Sequence, residues 1–228
     1  DPKITPNAQK LERISYEEML ELASLGAKVL QTRSVELAMN YKVKLRVLNS
    51  FTNGSGTLVC DEEDIMEKSI VSGITFSRDE AKVTIVGIRD KPCMAGSVFH
   101  CLSQANINVD MIIQNISEDG LADVTFSCPT SQVDAARKSL EKGKADKAFN
   151  YAKLVEDKQV AKISIVGIGM RSHSGVAQTM FKTLGEENIN IKVISTSEIK
   201  ISVLVDGKYL ELAVQALHEA FELGRVLT

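Results

Sequence analysis

The sequence predicts an α+β protein in which one module of about 70 residues occurs twice. The first observation is a repeat, because Lys82–Ile88 (KVTIVGI) and Lys162–Ile168 (KISIVGI) are similar strings 80 positions apart. The second is that strand, turn and helix signals follow both strings in the same order. The composition fits a soluble globular protein, since 44% of the 228 residues are hydrophobic and 25% are charged.

The charge balance argues against several classes of partner. With 27 basic and 30 acidic residues, the net charge of -3 is too weak to favour nucleic acid or an acidic membrane. No stretch approaches the roughly 20 apolar residues that span a bilayer, and no signal peptide opens the chain. Because residue 1 is Asp1 and not Met, we expect a chain that begins inside a longer gene product or has been processed.

The four cysteines, at positions 60, 93, 101 and 128, predict neither disulfides nor a metal site. None forms a C-x-x-C pair, and no histidine stands near them at ligand spacing. We therefore expect reduced, mostly buried thiols of a cytoplasmic protein. Tryptophan is absent, so a stacking platform for bases or sugars is not indicated.

The first module is predicted from one alternating strand, a turn and two helical stripes. Its first helix carries an apolar face formed by Val98, Cys101, Leu102 and Ala105. Strands are predicted over 109–117 and 121–128, joined by a turn at 118–120. The second helix has an inward face formed by Val133, Ala136 and Leu140. With a fourth strand near 149–155, the order is the ferredoxin-like βαββαβ pattern, in which two helices cover one face of a sheet.

The second module follows the same plan with small shifts. Ala95-Gly96 pairs with Ser174-Gly175 at an offset of 79, and Asn106–Val109 pairs with Asn188–Ile191 at an offset of 82. Its helices carry apolar faces formed by Val176, Ala177, Met180, Phe181 and Leu184, and by Ala213, Ala216, Leu217, Ala220 and Phe221. Each small core favours lateral pairing with another copy.

The sequence of the second module predicts one strand fewer than that of the first. Strands are predicted over 189–196 and 199–205, around a tight turn at Thr196-Ser197-Glu198. Its last strand has to come from the tail 225–228 or from elsewhere in the chain. This leaves room for strand exchange between the copies.

The residues before the first module have no second copy and read as the end of a truncated α/β domain. Ser15-x-x-Glu18 is a capping box ahead of an apolar helix, and a second helix is predicted near Ser34. Two short strands follow, at 43–48 and 56–60, and the acidic run 61–64 reads as a connector.

An ordered set of strings resembles a known family over essentially all of the chain. In the first block these strings are Asp1–Pro6, Ser15–Met19, Gly26–Leu30 and Arg33–Ala38, and in the repeats they are Asp90–Pro92, Gln114–Ser117, Gly169–His173 and Ile194–Ile199. They resemble the C-terminal half of bacterial aspartate kinases, in which the end of an amino-acid kinase domain precedes two ACT domains. Gln31-Thr32 departs from the His-Pro often found there. The resemblance implies a remnant of the α/β kinase domain over 1–64, a first ACT domain over 65–157 and a second over 158–228.

For function, the resemblance implies the feedback-sensing part of an aspartate kinase. The intact family enzyme uses ATP and Mg²⁺ to phosphorylate the side chain of L-aspartate, at the head of lysine, threonine and methionine synthesis. The elements that hold ATP and aspartate belong to an N-terminal half, so we expect this chain to hold no cofactor and to be inactive alone. The implied partners are that catalytic half, a second copy in an ACT-mediated homodimer, and free lysine or threonine at ACT–ACT contacts.

By the resemblance, the effector pocket of the first copy lies at the loop after its first strand. The candidate residues are Asp90, Cys93, Met94, Ala95, Asn108, Val109, Asp110 and Gln114. A ligand carboxylate suits the free N–H groups where 93–95 open the helix, and the ammonium suits Asp90 or Asp110. We expect the strand that begins at 108–110 to run beside this loop. The alternative interpretation is that Asp90 caps a turn and Gln114 satisfies a sheet edge.

The second copy has no acidic residue at the position of Asp90, so the same chemistry does not transfer to it. Instead we expect a pocket, or the first module of a partner chain, to face the strand end formed by Ile194, Ser195, Thr196, Ser197 and Glu198. The alternative is an ordinary turn with Glu198 on the surface. Met180 and Phe181 are expected in the core rather than at a ligand.

Several motifs mimic other chemistry and are set aside. Gly167-x-Gly169 lacks the third glycine and the acidic residue of a dinucleotide fingerprint, and Gly54-Ser55-Gly56 lacks the Lys-Ser/Thr of a phosphate loop. His100 and His218 read as packing or surface residues, which leaves His173 as the histidine to mutate.

Two other functions stay open. A catalytic protein in its own right would turn over ATP and aspartate, which we do not expect without a nucleotide cradle. A stand-alone amino-acid-binding or dimerisation module would have no catalytic partner, and with dead pockets it would form a dimer indifferent to amino acids.

Overall fold

The computed structural model describes residues 2–65, 69–117 and 119–225. The chain divides into two compact units, Arg78–Ala161 and the combination of Asp1–Ser77 with Lys162–Thr228. The predicted α+β class is confirmed, whereas the predicted domain boundaries at 64/65 and 157/158 stay a prediction. None of the helices in the described ranges combines the length and the apolar character that crossing a bilayer requires.

Six helices and nine strands lie in the described ranges. The helices are α1 (Tyr16–Ser24), α2 (Thr32–Asn40), α3 (Met94–Gln104), α4 (Val133–Ala145), α5 (Val176–Glu186) and α6 (Leu210–Ala220). The strands are β1 (Arg13–Ser15), β2 (Leu45–Val47), β3 (Thr57–Cys60), β4 (Gly73–Arg89), β5 (Asp110–Ile116), β6 (Leu121–Cys128), β7 (Lys153–Val166), β8 (Val193–Thr196) and β9 (Lys200–Asp206).

The unit Arg78–Ala161, hereafter module one, has the predicted βαββαβ order. Its strands are arranged β5-β6-β4-β7, and β6 is antiparallel to both β5 and β4. On the other side of β4, the Ala152 N–H donates to the Val86 carbonyl oxygen over 2.8 Å. Each inner strand thereby has hydrogen-bonded neighbours on both sides, and β5 lies at an edge.

Helices α3 and α4 cover one face of this sheet. The fully buried residues of the two helices include Val98, Leu102, Val133, Ala136 and Leu140. Phe126 of β6 packs edge-on against Phe99, with ring centroids 6.1 Å apart. Cys101 is half-buried and Ala105 is exposed, so α3 buries a narrower stripe than its sequence predicts.

In the other unit, module two is formed by α5, α6, β8, β9, residues 162–166 of β7 and residues 73–77 of β4. The strand order is β4-β7-β9-β8, and the Ser72 N–H donates to the Val166 carbonyl oxygen over 2.8 Å. The fourth strand that the sequence left open is therefore supplied by residues 73–77, which precede module one in the chain. Of the expected tail strand, 226–228 lie outside the described residues, and Arg225 is in a bend.

The two modules correspond most closely at the ends of α3 and α5. Each helix has 11 residues, and each begins after a residue in the left-handed region, Cys93 (φ 71°) or Gly175 (φ 95°). Each also leads to a left-handed asparagine, Asn106 or Asn188. The offset is thus 82 throughout this part, and the predicted pairing of Ala95-Gly96 with Ser174-Gly175 is wrong because the second loop is longer.

The N-terminal segment has its own small sheet, ordered β1-β3-β2, with β1 parallel to β3. The predicted capping box is present, since the Ser15 hydroxyl accepts from the Glu18 N–H and the Glu18 carboxylate accepts from the Ser15 N–H. Its core is formed by Ile14, Tyr16, Met19, Leu22, Leu25, Val35, Ala38 and Val59, with Val166 of β7 among them. The segment therefore packs against module two within one unit.

Candidate functional site

The loop that follows β4 in module one is open to solvent. Asp90, Lys91, Pro92 and Cys93 are all exposed. One backbone hydrogen bond anchors the loop, because the Asp90 N–H donates to the Gly120 carbonyl oxygen over 3.0 Å. In the described part of the chain, the Asp90 carboxylate has no side-chain partner. The backbone of Asp90 is thus anchored, while its side chain is exposed to solvent.

The start of α3 adds a second binding element to this loop. No side chain caps the helix, because Cys93 at the N-cap makes no side-chain hydrogen bond to it. The first N–H groups of a helix lack partners within the helix and attract a carboxylate. Met94 and Ala95 are half-buried behind Cys93. The loop therefore presents an exposed carboxylate, Asp90, four residues before an uncapped helix start at Met94.

A shallow depression of about 350 Å³ adjoins this helix start. It is lined by Cys93, Gly96, Ser97, His100, Cys101 and Ala148. Sequence reasoning assigned no role to Ser97 and placed His100 at the surface or in packing. The signal that could have found them is spacing, because three, four and seven residues after Cys93 place Gly96, Ser97 and His100 on one helix face.

The predicted residues Asn108, Val109 and Asp110 lie at the other end of α3. Asn108 and Val109 line a depression of about 400 Å³ together with Phe99, Ser103, Asn106, Ile107 and Ile112. The Asn108 N–H donates to the Gln132 side-chain oxygen over 2.8 Å, and the Asp110 carboxylate accepts from the Met111 N–H over 2.8 Å. These contacts fix the chain where β5 begins.

Within one chain, the Asp90 loop and residues 108–110 lie apart. Asp110 stands level with Lys82 in the sheet, whereas Ile116 stands level with Ile88. The 11 residues of α3, a rise of about 16 Å, separate the ends. The strand that begins at 108–110 reaches the level of the Asp90 loop only at its last residues, because β5 runs parallel to β4. Gln114 lies between, exposed on the edge strand.

The turn before β6 lies beside the Asp90 loop instead. The Ser117 hydroxyl and the Leu121 N–H donate to the Asp119 carboxylate, and these bonds hold the pKa of Asp119 below its ordinary value. Glu118, part of the predicted turn, lies outside the described residues.

Burial raises the pKa of the Cys128 thiol to about 11 and also raises the pKa of Cys60. These two thiols are therefore poor nucleophiles, unlike an exposed thiol such as Cys93.

The corresponding loop of module two is closed by its own unit. Gly167 and Gly169 are buried, and a Cβ atom would meet the Ile70 carbonyl oxygen at 2.2 Å or the Ser69 carbonyl oxygen at 2.5 Å. The Ile168 N–H donates to the Glu18 carboxylate over 2.9 Å. The Gly-x-Gly string thus makes room for the segment 69–71.

The predicted second-copy residues occupy an edge strand and its turn. Ile194, Ser195 and Thr196 belong to β8, where Ile194 is 41% exposed. The turn is closed by the Ser197 N–H, which donates to the Lys200 carbonyl oxygen over 2.8 Å. Glu198 is exposed and lies 3.5 Å from Arg171, which also pairs with Glu62 at 2.8 Å. His173, whose Nδ1 lies 2.8 Å from the Gly169 carbonyl oxygen, is bonded to its own loop.

Two further features concern the absence of a metal cluster among the described residues and the bonding of the Gly54-Ser55-Gly56 loop. Across the described ranges, no group of three or more His, Cys, Asp or Glu side chains could hold a metal ion. In the Gly54-Ser55-Gly56 loop, Lys10 donates to the Ser55 hydroxyl and Arg46 to its carbonyl oxygen, at 2.9 and 2.7 Å. Gly56 has a positive φ of 64° and lies against the Val47 carbonyl oxygen, so the glycine serves this close approach.

Comparisons with known proteins agree with this architecture. The ACT domain model matches residues 83–143 and 163–221, and the amino acid kinase family model matches residues 1–49. An aspartate kinase of Pseudomonas fluorescens is 54% identical over 98% of this chain and 54% of its own length. The chain therefore spans about half the length of the curated relatives it matches.

Two solved structures each match about two thirds of the chain. A crystal structure of aspartokinase alpha and beta subunits has 45% identity and a TM-score of 0.62, over 67% of this chain and 99% of that chain. The ligand-free regulatory subunit of aspartate kinase from Thermus thermophilus has 34% identity and a TM-score of 0.62, with the same coverage.

The paired βαββαβ units and the segment before them define a protein with two ACT domains behind the end of an amino-acid kinase domain. More particularly, the chain belongs to the aspartate kinase family and corresponds to its ACT-containing regulatory region. The recognition made from the sequence strings is confirmed.

Proposed function

We propose that this chain is the feedback-sensing part of an aspartate kinase, and that it binds free lysine, threonine or both where ACT domains meet. The observation that carries the proposal is the open loop of module one, where the Asp90 carboxylate stands beside an uncapped helix start. The ammonium of the ligand pairs with Asp90, and its carboxylate accepts from the Ala95 and Gly96 N–H groups of α3, because the Met94 N–H already donates to the Lys91 carbonyl oxygen.

A homodimer completes this site. Asp90 and residues 108–110 lie at opposite ends of α3, so one chain presents two half-sites that face different neighbours. In a two-fold pair formed along the β5 edges, antiparallel packing sets the loop of one protomer beside the strand start of its partner. Ile112 and Ile116 on β5 are 55% and 62% exposed, which supports an interface along this edge.

The two modules divide the work in this proposal. Module one holds the ligand, and the strand end 194–198 of module two lines a further pocket or contacts module one of the partner. Exposed Ile194 on the edge strand β8 supports such a contact. The ligand controls the enzyme only through a different affinity for its active and inhibited arrangements, with a coupling of about 1–3 kcal/mol.

The chemistry of the intact enzyme lies outside this chain. We propose that the catalytic half binds ATP and Mg²⁺ and phosphorylates the side chain of L-aspartate in the cytoplasm, as the first step of lysine, threonine and methionine synthesis. In this proposal the chain supplies regulation, and the catalytic half supplies the phosphate cradle, metal site and positioned nucleophile that phosphoryl transfer requires.

Calorimetry of this chain with L-lysine and L-threonine tests the proposal. We expect Asp90→Ala to weaken binding about tenfold or more, because it removes the partner of the ammonium, while the fold is kept. The matched control is Glu141→Ala, which removes an exposed acidic side chain of α4 in the same module. If neither amino acid gives heat with the unmodified chain, the sensing role is wrong and a structural dimerisation module is favoured.

A mixing experiment tests whether two chains share each site. Asp90→Ala and Asp110→Ala should each weaken binding about tenfold or more, since each alters both sites of a homodimer. Mixing the two variants in equal amounts should restore roughly a quarter of the wild-type sites, because half of the dimers are mixed and each of these has one intact site. No recovery after exchange of subunits would mean that each site belongs to one chain.

A further inference from the structure

Glu18 of α1 is a buried carboxylate that joins three parts of one unit. Its side chain is 2% exposed. One oxygen accepts from the Ser15 N–H and hydroxyl at 3.2 and 3.0 Å. The other accepts from the Ser72 hydroxyl at 2.5 Å and from the Ile168 N–H at 2.9 Å. The carboxylate thus connects the start of α1, the connector ahead of β4 and the loop of module two.

Glu21, one turn later on α1, makes a second connection to the same module. Its carboxylate lies 3.0 Å from the ammonium of Lys200, and the two side chains are 28% and 23% exposed. Lys200 is the first residue of β9 and closes the turn at 197–200. Glu18 and Glu21 are three positions apart, so they share one face of the helix.

The two segments that these glutamates contact are themselves bonded together. The Gly167 N–H donates to the Ile199 carbonyl oxygen over 2.9 Å. The loop 167–173 and the turn 197–200 therefore form one end of module two, and α1 holds this end at two points. Segment 69–71 packs so closely on Gly167 and Gly169 that neither position has room for a Cβ atom.

A displacement of this end of module two has a direct consequence for α1. Moving the loop away from Glu18 would remove the Ile168 donor from a buried carboxylate, and an underbonded buried charge is costly. Moving the turn would separate Glu21 from Lys200. The less costly response is for α1 to move with the loop and the turn.

We infer that Glu18 and Glu21 form a two-point linkage that transmits changes at the end of module two to helix α1 of the kinase-family segment. Its use in regulation rests on the proposed function, whereas the mechanical linkage does not. Both glutamates act as positioning residues, through the loop and the turn rather than on any substrate.

Hydrogen exchange of this chain without ligand tests the linkage. Gly169→Ala places a Cβ atom 2.5 Å from the Ser69 carbonyl oxygen and so displaces the loop without touching α1. We expect exchange of the amides at 19–24 to speed up about tenfold. In a background with Glu18→Gln and Glu21→Gln, the same change should speed these amides less than about twofold. Glu17→Gln, on the same helix, should leave the tenfold response intact.

Unchanged exchange at 19–24 after Gly169→Ala would overturn the linkage, and so would an equal response in the double-variant background. Should the double variant not fold, Glu21→Gln alone removes the half-exposed contact and should at least halve the response. An undiminished response in that variant counts against the second contact point.

Added L-lysine or L-threonine separates this inference from the proposed function. If either amino acid binds the unmodified chain, exchange at 19–24 should change by about fivefold or more, and the double variant should bind without that change. Binding that leaves 19–24 unaffected in the unmodified chain overturns a regulatory use of the linkage. If neither amino acid binds, the proposed function fails, and the ligand-free comparison still decides the linkage.

Discussion

The loop 90–93 of module one and the loop 167–173 of module two follow the same strand of the same fold, yet their surroundings differ. The first is exposed and anchored by one backbone bond to Gly120. The second is packed at Gly167 and Gly169 against residues 69–71 and is bonded to Glu18. A duplicated fold can therefore leave a loop exposed in one module and pack the corresponding loop against a neighbouring segment in the other.

The glycines at the start of the two loops show how this difference is built. Gly87 has a positive φ of 71° beside an irregularity in the β4–β6 pairing, so its role is conformational. Gly167 has an extended φ of -179°, which any residue adopts, so its role is spatial. One string, Val-Gly-Ile, thus contains a glycine needed for different reasons in the two modules.

The largest effect is expected for Gly167→Ala. The new Cβ atom would lie 2.2 Å from the Ile70 carbonyl oxygen and 2.7 Å from the Val71 Cα atom, so backbone has to move. We expect the free energy of unfolding to fall by about 3 kcal/mol, measured by urea denaturation.

Gly185→Ala is the matched control in the same module. Gly185 lies within α5, where a Cβ atom would meet nothing within 4 Å. Here the substitution should raise the free energy of unfolding by about 0.5–1 kcal/mol, since alanine is the better helix former. Equal small effects at both positions would show that the second loop is not packed as described.

A smaller effect is expected at Cys93, whose exposed thiol reports on the open loop. Under the proposed function, saturating L-lysine or L-threonine should slow alkylation of Cys93 about tenfold, because the ligand covers the helix start. Cys128 is an internal reference, since its pKa of about 11 leaves roughly one thiolate in a thousand at pH 8. Mass spectrometry of each cysteine peptide gives both rates, and an unprotected Cys93 in the liganded chain would place the ligand elsewhere.

The smallest effect is expected in acid, at the turn beside the open loop. The hydrogen bond from the Ser117 hydroxyl lowers the pKa of Asp119, so the ionised carboxylate stabilises the turn above the ordinary carboxyl pKa. That contribution is lost as the pH falls below about 4. We expect exchange of the Leu121 amide, corrected for intrinsic pH dependence, to speed up about twofold between pH 6 and pH 3.

Two controls sharpen the acid experiment. Asp119→Asn should remove the pH dependence at Leu121, because the amide does not titrate. The turn of module two is closed by the backbone bond between Ser197 and Lys200, which should show no matching change. A larger acid-induced increase in amide exchange at Ser197 than at Leu121 would contradict the expected difference between the two turns.

Much of the fold was predictable because local signals decide it. The capping box at Ser15, the strand at 121–128 and the buried positions Ala136 and Leu140 all follow from short-range patterns that tertiary contacts reinforce. The helices were predicted by the 3.6-residue period, although Leu37 of α2 is 48% exposed and only Val35 and Ala38 are buried there.

The rest depended on contacts between distant parts of the sequence. β4 has 17 residues and belongs to both modules. An alternating pattern does not show this division, so the role of 73–77 was not predictable. The separation of Asp90 from Asp110 follows from strand direction, which composition does not encode. Glu18 was recognised as a helix cap, but its bonds to Ser72 and Ile168 join residues up to 150 positions apart.

The split origin of the β4–β7 pair in module two has a consequence for how the chain assembles. Residues 73–77 and 162–166 are far apart along the polypeptide, and bringing them together unaided costs the closure entropy of a long loop. Module one lies entirely between them, with its own first and last strands adjacent. Once module one has folded, its adjacent first and last strands hold residues 73–77 and 162–166 next to each other. Module one should therefore fold before module two.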